Sequence, residues 1–216
     1  MNDWQAGVLF VAGAYLAGSI PFGYWAGKLK GIDIRQHGSG NIGATNVIRV
    51  LGKGIGIPVF ILDMLKGFLP TLLAQQDLPA FGASTELATL IAVCCAAASV
   101  LGHNFTPWLG FKGGKGVATS AGALLGLAPW ALLAGMLMWL LVFKVSRYVA
   151  LASIMAAIFI PLTMAIMMAS AHQWNGILLG LGVALCLMVI IRHRSNISRL
   201  MAGTENRFEP KKKPNA

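Results

Sequence analysis

The 216-residue chain is 56% hydrophobic and only 11% charged, with a mean hydropathy of +0.71, too apolar and too charge-poor for a soluble domain of this length. An integral membrane protein is the class that remains. The net charge of +10 could suggest nucleic acid, but sixteen of the seventeen Lys and Arg residues flank apolar runs, Lys66 being the exception. That is the distribution the positive-inside rule gives to cytoplasmic loops, and it argues against a nucleic-acid partner.

Nothing is charged between Asp3 and Lys28, which predicts a first span. Met1-Asn2-Asp3 lacks the basic start of a signal peptide, and the apolar stretch is too long for one, so this segment is expected to stay as a helix. Gly54 to Gln76 predicts a second span interrupted by Asp63 and Lys66, and the uncharged run from Glu86 to Lys112 a third. Basic loops at 112–115 and 144–147 belong inside, so the uncharged residues between them cross an even number of times, with Pro129 as the turn. Two helices of about 13 residues fit there, below the ~20 of a straight crossing, predicting short spans or a shallow re-entrant hairpin. Tyr148 to Ile191 has room for two more spans. The connections near 77–86 and 169–175 carry no Lys or Arg and belong outside.

The sum is an all-α polytopic fold of about seven transmembrane helices, N-terminus outside and C-terminus cytoplasmic. Residues 1–216 form one membrane domain, and 205–216 a basic tail whose Lys211-Lys-Lys213 is expected to touch anionic lipid. Cys94, Cys95 and Cys186 fall inside apolar runs without metal-ligand spacing and read as packing residues. The six tryptophans mostly mark interfaces.

Chemistry concentrates in two glycine-rich loops, Gly38-Ser-Gly-Asn-Ile-Gly-Ala-Thr-Asn46 and Gly110-Phe-Lys-Gly-Gly-Lys-Gly116. The first matches G-x-G-x-x-G, with Asp63 where a ribose-binding acid would fall, yet no strand precedes it and Asp63 sits in a membrane helix. The second lacks the spacing and the Ser or Thr of a nucleotide P-loop. Both read instead as anion cradles, in which glycines admit backbone N–H groups while Ser39, Arg49, Lys112 and Lys115 add hydroxyl and cationic donors. Asp63 and Lys66, three apart on one helix face, are expected to form a structural ion pair supporting the site, with a proton relay as the alternative. Arg192, His193, Asn196 and Arg199 recur at helical spacing and present donors to neighbouring positions, whereas His103 reads equally as a helix-capping or a functional residue.

These motifs, with Gly18-Ser-Ile-Pro-Phe-Gly23, Asp63-Met-Leu-Lys-Gly67, Gly102-His103 and the stretch from Arg192 to Glu205, resemble the bacterial acyl phosphate:glycerol-3-phosphate acyltransferases, the PlsY family, along most of the chain. The resemblance implies a seven-helix inner-membrane enzyme with its active site facing the cytoplasm. It implies transfer of an acyl group from acyl phosphate to the sn-1 hydroxyl of glycerol 3-phosphate, the first acylation of phospholipid synthesis, with an acyl-phosphate-forming enzyme upstream and no cofactor or metal. Residue by residue, it implies essential roles for Ser39 and Arg49, substrate binding by Lys112, Gly113, Gly114, Lys115 and Gly116, support of activity by His193 and Asn196, and an integrity role for Glu205. One departure is Ala150, where many members carry serine; Ser153 is the nearby substitute.

Acyl phosphate is already activated, so no covalent intermediate is required, and the chain offers no Ser-His-Asp triad. Catalysis is expected to be positioning and charge neutralisation. Ser39 would hydrogen-bond phosphate, Arg49 clamp it bidentately and Lys112 with Lys115 balance charge, while His193 and Asn196 orient the glycerol. Gly38, Gly40, Asn41, Thr45 and Asn46 complete the substrate-binding set. The proton of the attacking hydroxyl would pass to His193 or to a substrate phosphate. The rival reading is a transporter passing an anion through glycine-interrupted helices, disfavoured because the donors gather on one face.

Overall fold

The computed structural model describes residues 3–81 and 83–208; the Lys211 to Lys213 cluster lies outside them. Ten α-helices follow in order: α1 Asp3–Ser19, α2 Phe22–Leu29, α3 Ala44–Leu51, α4 Lys53–Asp77, α5 Thr85–Asn104, α6 Val117–Leu127, α7 Pro129–Ser146, α8 Val149–Ser170, α9 Gly176–Arg192 and α10 Arg194–Met201. Five helical stretches among the described residues are long and apolar enough to cross a bilayer, and six if α9 and α10, bent by 57°, count as one broken span. The seventh apolar segment is α6, with 11 residues.

The uncharged stretch around Pro129 divides differently from the two equal helices expected. Pro129 is the first residue of α7, where its missing N–H is no loss, and α7 runs on for 18 residues to Ser146. Lys144 thus becomes part of the last turn of α7 rather than a loop residue. Its short partner α6 rises only about 16 Å, roughly half of a hydrocarbon core.

α1 packs on α5, α4 lies against both α5 and α6, and α7, α8 and α9 pack in series. Small residues set the closest approach: a Cβ at Gly18 would strike the Ser99 backbone, and one at Gly102 the Tyr15 carbonyl. Pro21 breaks the first span into α1 and α2, and Lys66 of α4 donates to the Ile20 carbonyl in that break at 2.8 Å. The same Lys66 pairs with Asp63 at 2.8 Å, both side chains buried. A separate small core of Ile34, Ile42, Val47, Val59 and Leu109 packs the first glycine loop onto the end of α4. The loops carrying the motifs are thereby collected at one end of the bundle.

Candidate active site

The first loop is braced from within. Asn46, buried in the first turn of α3, accepts from the Ser39 N–H at 2.8 Å and donates to the carbonyls of His37 (2.9 Å) and Ile34 (3.2 Å). All its amide groups therefore serve the loop, which differs from the substrate contact expected of it. Asn41 Oδ1 accepts the Gly43 N–H at 2.8 Å, an Asx turn leading into α3. Thr45 and Arg49, one turn apart on α3, face a common cavity with Ser39 and Asn41, while Ala44 and Val47 are buried.

In the second loop the N–H groups of Gly113 and Gly114 donate to the carbonyls of Asn104 and His103, each at 3.1 Å. These carbonyls end α5 and need donors, so neither glycine N–H is left to cradle an anion as expected. On the opposite side the Arg192 guanidinium donates to Gly113 O at 2.9 Å and to Gly114 O at 2.7 and 3.1 Å. The loop is thus clamped between α5 and the end of α9. Gly114 is obligatory, because a Cβ there would run into the His103 ring. Helix N-termini supply what the loop N–H groups do not: the first turns of α3, at Ala44 and Thr45, and of α6, at Gly116 to Ala118, both line the cavity.

The third motif begins where α9 stops. His193 Nδ1 lies 2.8 Å from the Val189 carbonyl, a contact that requires Nδ1 to carry the proton and leaves Nε2 as an acceptor. Lys115 Nζ donates to Asn196 Oδ1, Asn196 Nδ2 to Glu205 Oε1 at 2.7 Å, and Arg199 Nε to Glu205 Oε2 at 2.8 Å. One continuous chain of hydrogen bonds therefore joins the second loop, α10 and the segment after it. Burial pushes the Lys115 ammonium down to about 8, with Glu205 opposing that shift and the Arg199, Arg192 and Arg49 cations adding to it. Burial also lowers the Arg49 guanidinium, against the pull of Glu205.

The cavity has a volume of about 430 Å³ and brings together Ser39, Asn41, Thr45, Asn46, Arg49, Asp63, Lys115, Gly116, His193, Asn196 and Glu205. Gly38, Gly40, Lys66, Lys112, Gly113 and Gly114 are not on its wall. Lys112 is exposed, whereas Lys115, three residues on, turns inward. The Arg49 side chain forms no hydrogen bond or ion pair among the described residues, so its fork is free for a ligand. Beyond the polar end the cavity continues as an apolar bore between α6, α7, α8 and α9, past Leu132, Met136, Ala156, Ile160 and Leu185.

Several wall residues escape a reading by residue type. Trp139 lines the bore and donates to Ser153 Oγ at 3.2 Å, which a general role as an interfacial marker does not anticipate. Ala150 and Ser153 are both on the wall. His103 also lines it, with Nδ1 3.7 Å from Asp63 Oδ1. Arg192, expected to present donors to neighbouring positions, directs them to the second loop.

A helical membrane protein whose cationic chamber opens into an apolar bore is built for a ligand with an anionic head and a lipid chain. Its similarities agree with that class. Residues 8–203 match the family described as glycerol-3-phosphate acyltransferase. The glycerol-3-phosphate acyltransferase of Trichlorobacter lovleyi is 47% identical over 94% of this chain and 98% of its own length. That of Aquifex aeolicus is 46% identical, over 90% of this chain and 95% of the relative. The crystal structure of PlsY, an integral membrane glycerol 3-phosphate acyltransferase, in its glycerol 3-phosphate form has a TM-score of 0.84 at 43% identity, covering 94% of this chain and 96% of that one. Its lysophosphatidic acid form gives 0.81 at 42% identity. The chain belongs to the glycerol-3-phosphate acyltransferase family and is an acyltransferase of the integral membrane type.

Proposed function

We propose that this protein transfers an acyl group directly from acyl phosphate to the sn-1 hydroxyl of glycerol 3-phosphate, at the cytoplasmic face of the inner membrane. The observation that carries the reading is the union of a cationic polar end, holding Arg49, Lys115 and His193, with an apolar bore in one cavity. An acyl phosphate needs both. In the reaction the glycerol oxygen forms a bond to the acyl carbon, the bond from that carbon to the phosphate oxygen breaks, and inorganic phosphate leaves. The product is lysophosphatidic acid.

Arg49 offers an uncommitted fork to phosphate oxygens, and Ser39 adds a hydroxyl donor. Lys115 balances charge from a position fixed by Asn196 and Glu205, so Asn196 works through Lys115 rather than on the glycerol directly. Lys112, at the exposed outer edge of the second loop, attracts the incoming anion. The Gly38 to Gly43 and Gly113 to Gly116 backbones set the shape of the two loops. Asp63 with Lys66 stiffens α4 beneath them. His193 Nε2 accepts the proton of the attacking hydroxyl. Residues 1–216 work as one membrane domain, bathed in lipid, and an enzyme that makes acyl phosphate supplies the donor.

The test uses purified protein in detergent with labelled glycerol 3-phosphate and, in separate reactions, acyl phosphate or acyl thioester. Lysophosphatidate formed with acyl phosphate alone is the expected result. Formation with the thioester alone overturns the donor, and uptake of glycerol 3-phosphate into liposomes without chemistry overturns the enzyme in favour of a transporter. A pH-rate profile unchanged by His193→Ala assigns the proton to a substrate phosphate instead.

A further inference from the structure

Residues 203–208 run along the polar end of the cavity, which Glu205 and Asn206 line, and end against Arg49. The segment is fastened at both ends. Glu205 holds Asn196 and Arg199, as above, while the Phe208 N–H donates to the Arg147 carbonyl at 3.0 Å and Arg207 Nε to the Ser146 carbonyl at 3.2 Å. Between α7 and this strap runs a file of rings. Trp139 stacks on Phe143, one helical turn on, at 4.9 Å, and Phe143 meets Phe208 edge to face at 6.0 Å. At the end of the file the Arg49 guanidinium lies over the Phe208 ring, 5.3 Å from its centroid.

We propose that Phe208 is a positioning residue for Arg49, its ring face fixing the plane of the guanidinium that meets the substrate phosphate; this rests on the role given to Arg49 above. The three arginines around the site make the case by contrast. Arg192 commits its Nε and one Nη to loop carbonyls and Arg199 its Nε to Glu205, so each is held in place by giving up part of its donor set. A ring holds a guanidinium through its face and leaves every in-plane N–H available. Such a partner restrains a long, rotamer-rich side chain without taking any hydrogen-bond donor from its fork. The strap carries Phe208 to Arg49 and Glu205 to Asn196, so the same six residues set the donors contributed by the first and third motifs.

The experiment replaces Phe208 in the full-length protein by Leu, by Tyr and by phenylalanines bearing one, two and five ring fluorines, which preserve volume while draining the ring face of negative charge. Steady-state acylation is measured in detergent with melting temperature alongside. Expected are a fall in kcat/KM of about three- to tenfold for Leu, recovery with Tyr, and a graded fall along the fluorine series at constant melting temperature. The loss resides in KM for the phosphate substrate that Arg49 holds. Activity flat along the fluorine series, or Leu as active as Phe, overturns the inference and leaves the strap as packing. Arg49→Lys serves as the separate control: unaltered turnover there overturns the clamp itself, whatever Phe208 does.

Discussion

Lys115 is the residue whose chemistry gives the site a pH signature. Its folded value of about 8, against an ordinary 10.5, means that its charge is lost as pH rises through 8, well before that of an exposed lysine. Phosphate binding should weaken over the same interval: kcat/KM falls above pH ~8, while kcat, which reports the complex, holds to higher pH because bound phosphate favours the ammonium. Lys115→Arg should remove this alkaline limb. The stability effect has the opposite sign. The unfolded chain binds the extra proton between about 8 and 10.5, so stability from this group rises with pH across that window, and a thermal melt that loses stability there while Lys115→Arg does not would contradict the assignment. Sequence could not separate Lys115 from Lys112. Both lie in one glycine loop at similar distance from an apolar run, and the direction each takes is decided by how Gly113 and Gly114 close on the carbonyls of α5.

At the scale of an element, the second loop is the part most dependent on neighbours. Its glycines read in sequence as an anion cradle, but the partners of their N–H and C=O groups were not legible, because His103, Asn104 and Arg192 reach the loop from the ends of two other helices. Two substitutions probe the two sides of this clamp. Gly114→Ala forces a methyl group against the His103 ring and should destabilise the protein by about 1–3 kcal/mol, read as a lower melting temperature in detergent. Arg192→Lys keeps the charge but places one ammonium where a fork bridged two carbonyls, so the loop loosens. The expected outcome is a fall in kcat/KM of roughly tenfold, about 1.4 kcal/mol in the transition state, with little change in melting temperature. An Arg192→Lys enzyme of normal activity would show that the loop is held from the α5 side alone. The first loop follows the same logic in shorter range: Asn46 reads as a ligand in sequence, and only the fold of residues 34–39 around it turns all its amide groups inward.

For the whole molecule, hydropathy and basic-residue placement carried most of the fold, since long apolar runs have few alternatives in a bilayer. They placed the turn at Pro129 but not the lengths of the helices on either side, because no charge marks the depth of the turn. The packing does mark it. A Cβ on Gly126 would sit 3.3 Å from Thr71 Cγ2, and Thr71 lies six residues before the end of α4 at Asp77. Gly126 is therefore about 9 Å, and the α6–α7 turn at Ala128 about 6 Å, short of the level that α4 reaches, on the side away from the polar end of the cavity. Together with the positive-inside reading, this predicts a labelling pattern for single cysteines placed in a background with Cys94, Cys95 and Cys186 changed to Ala. In intact spheroplasts a membrane-impermeant maleimide should label His172→Cys, between α8 and α9. Arg147→Cys, beside the strap, should react only after permeabilisation, and Trp130→Cys, at the start of α7, should react in neither state without denaturant. Reaction of Trp130→Cys from outside would make α6 a complete span. Exchange of the His172 and Arg147 results would invert the protein and move the cavity to the other face of the membrane.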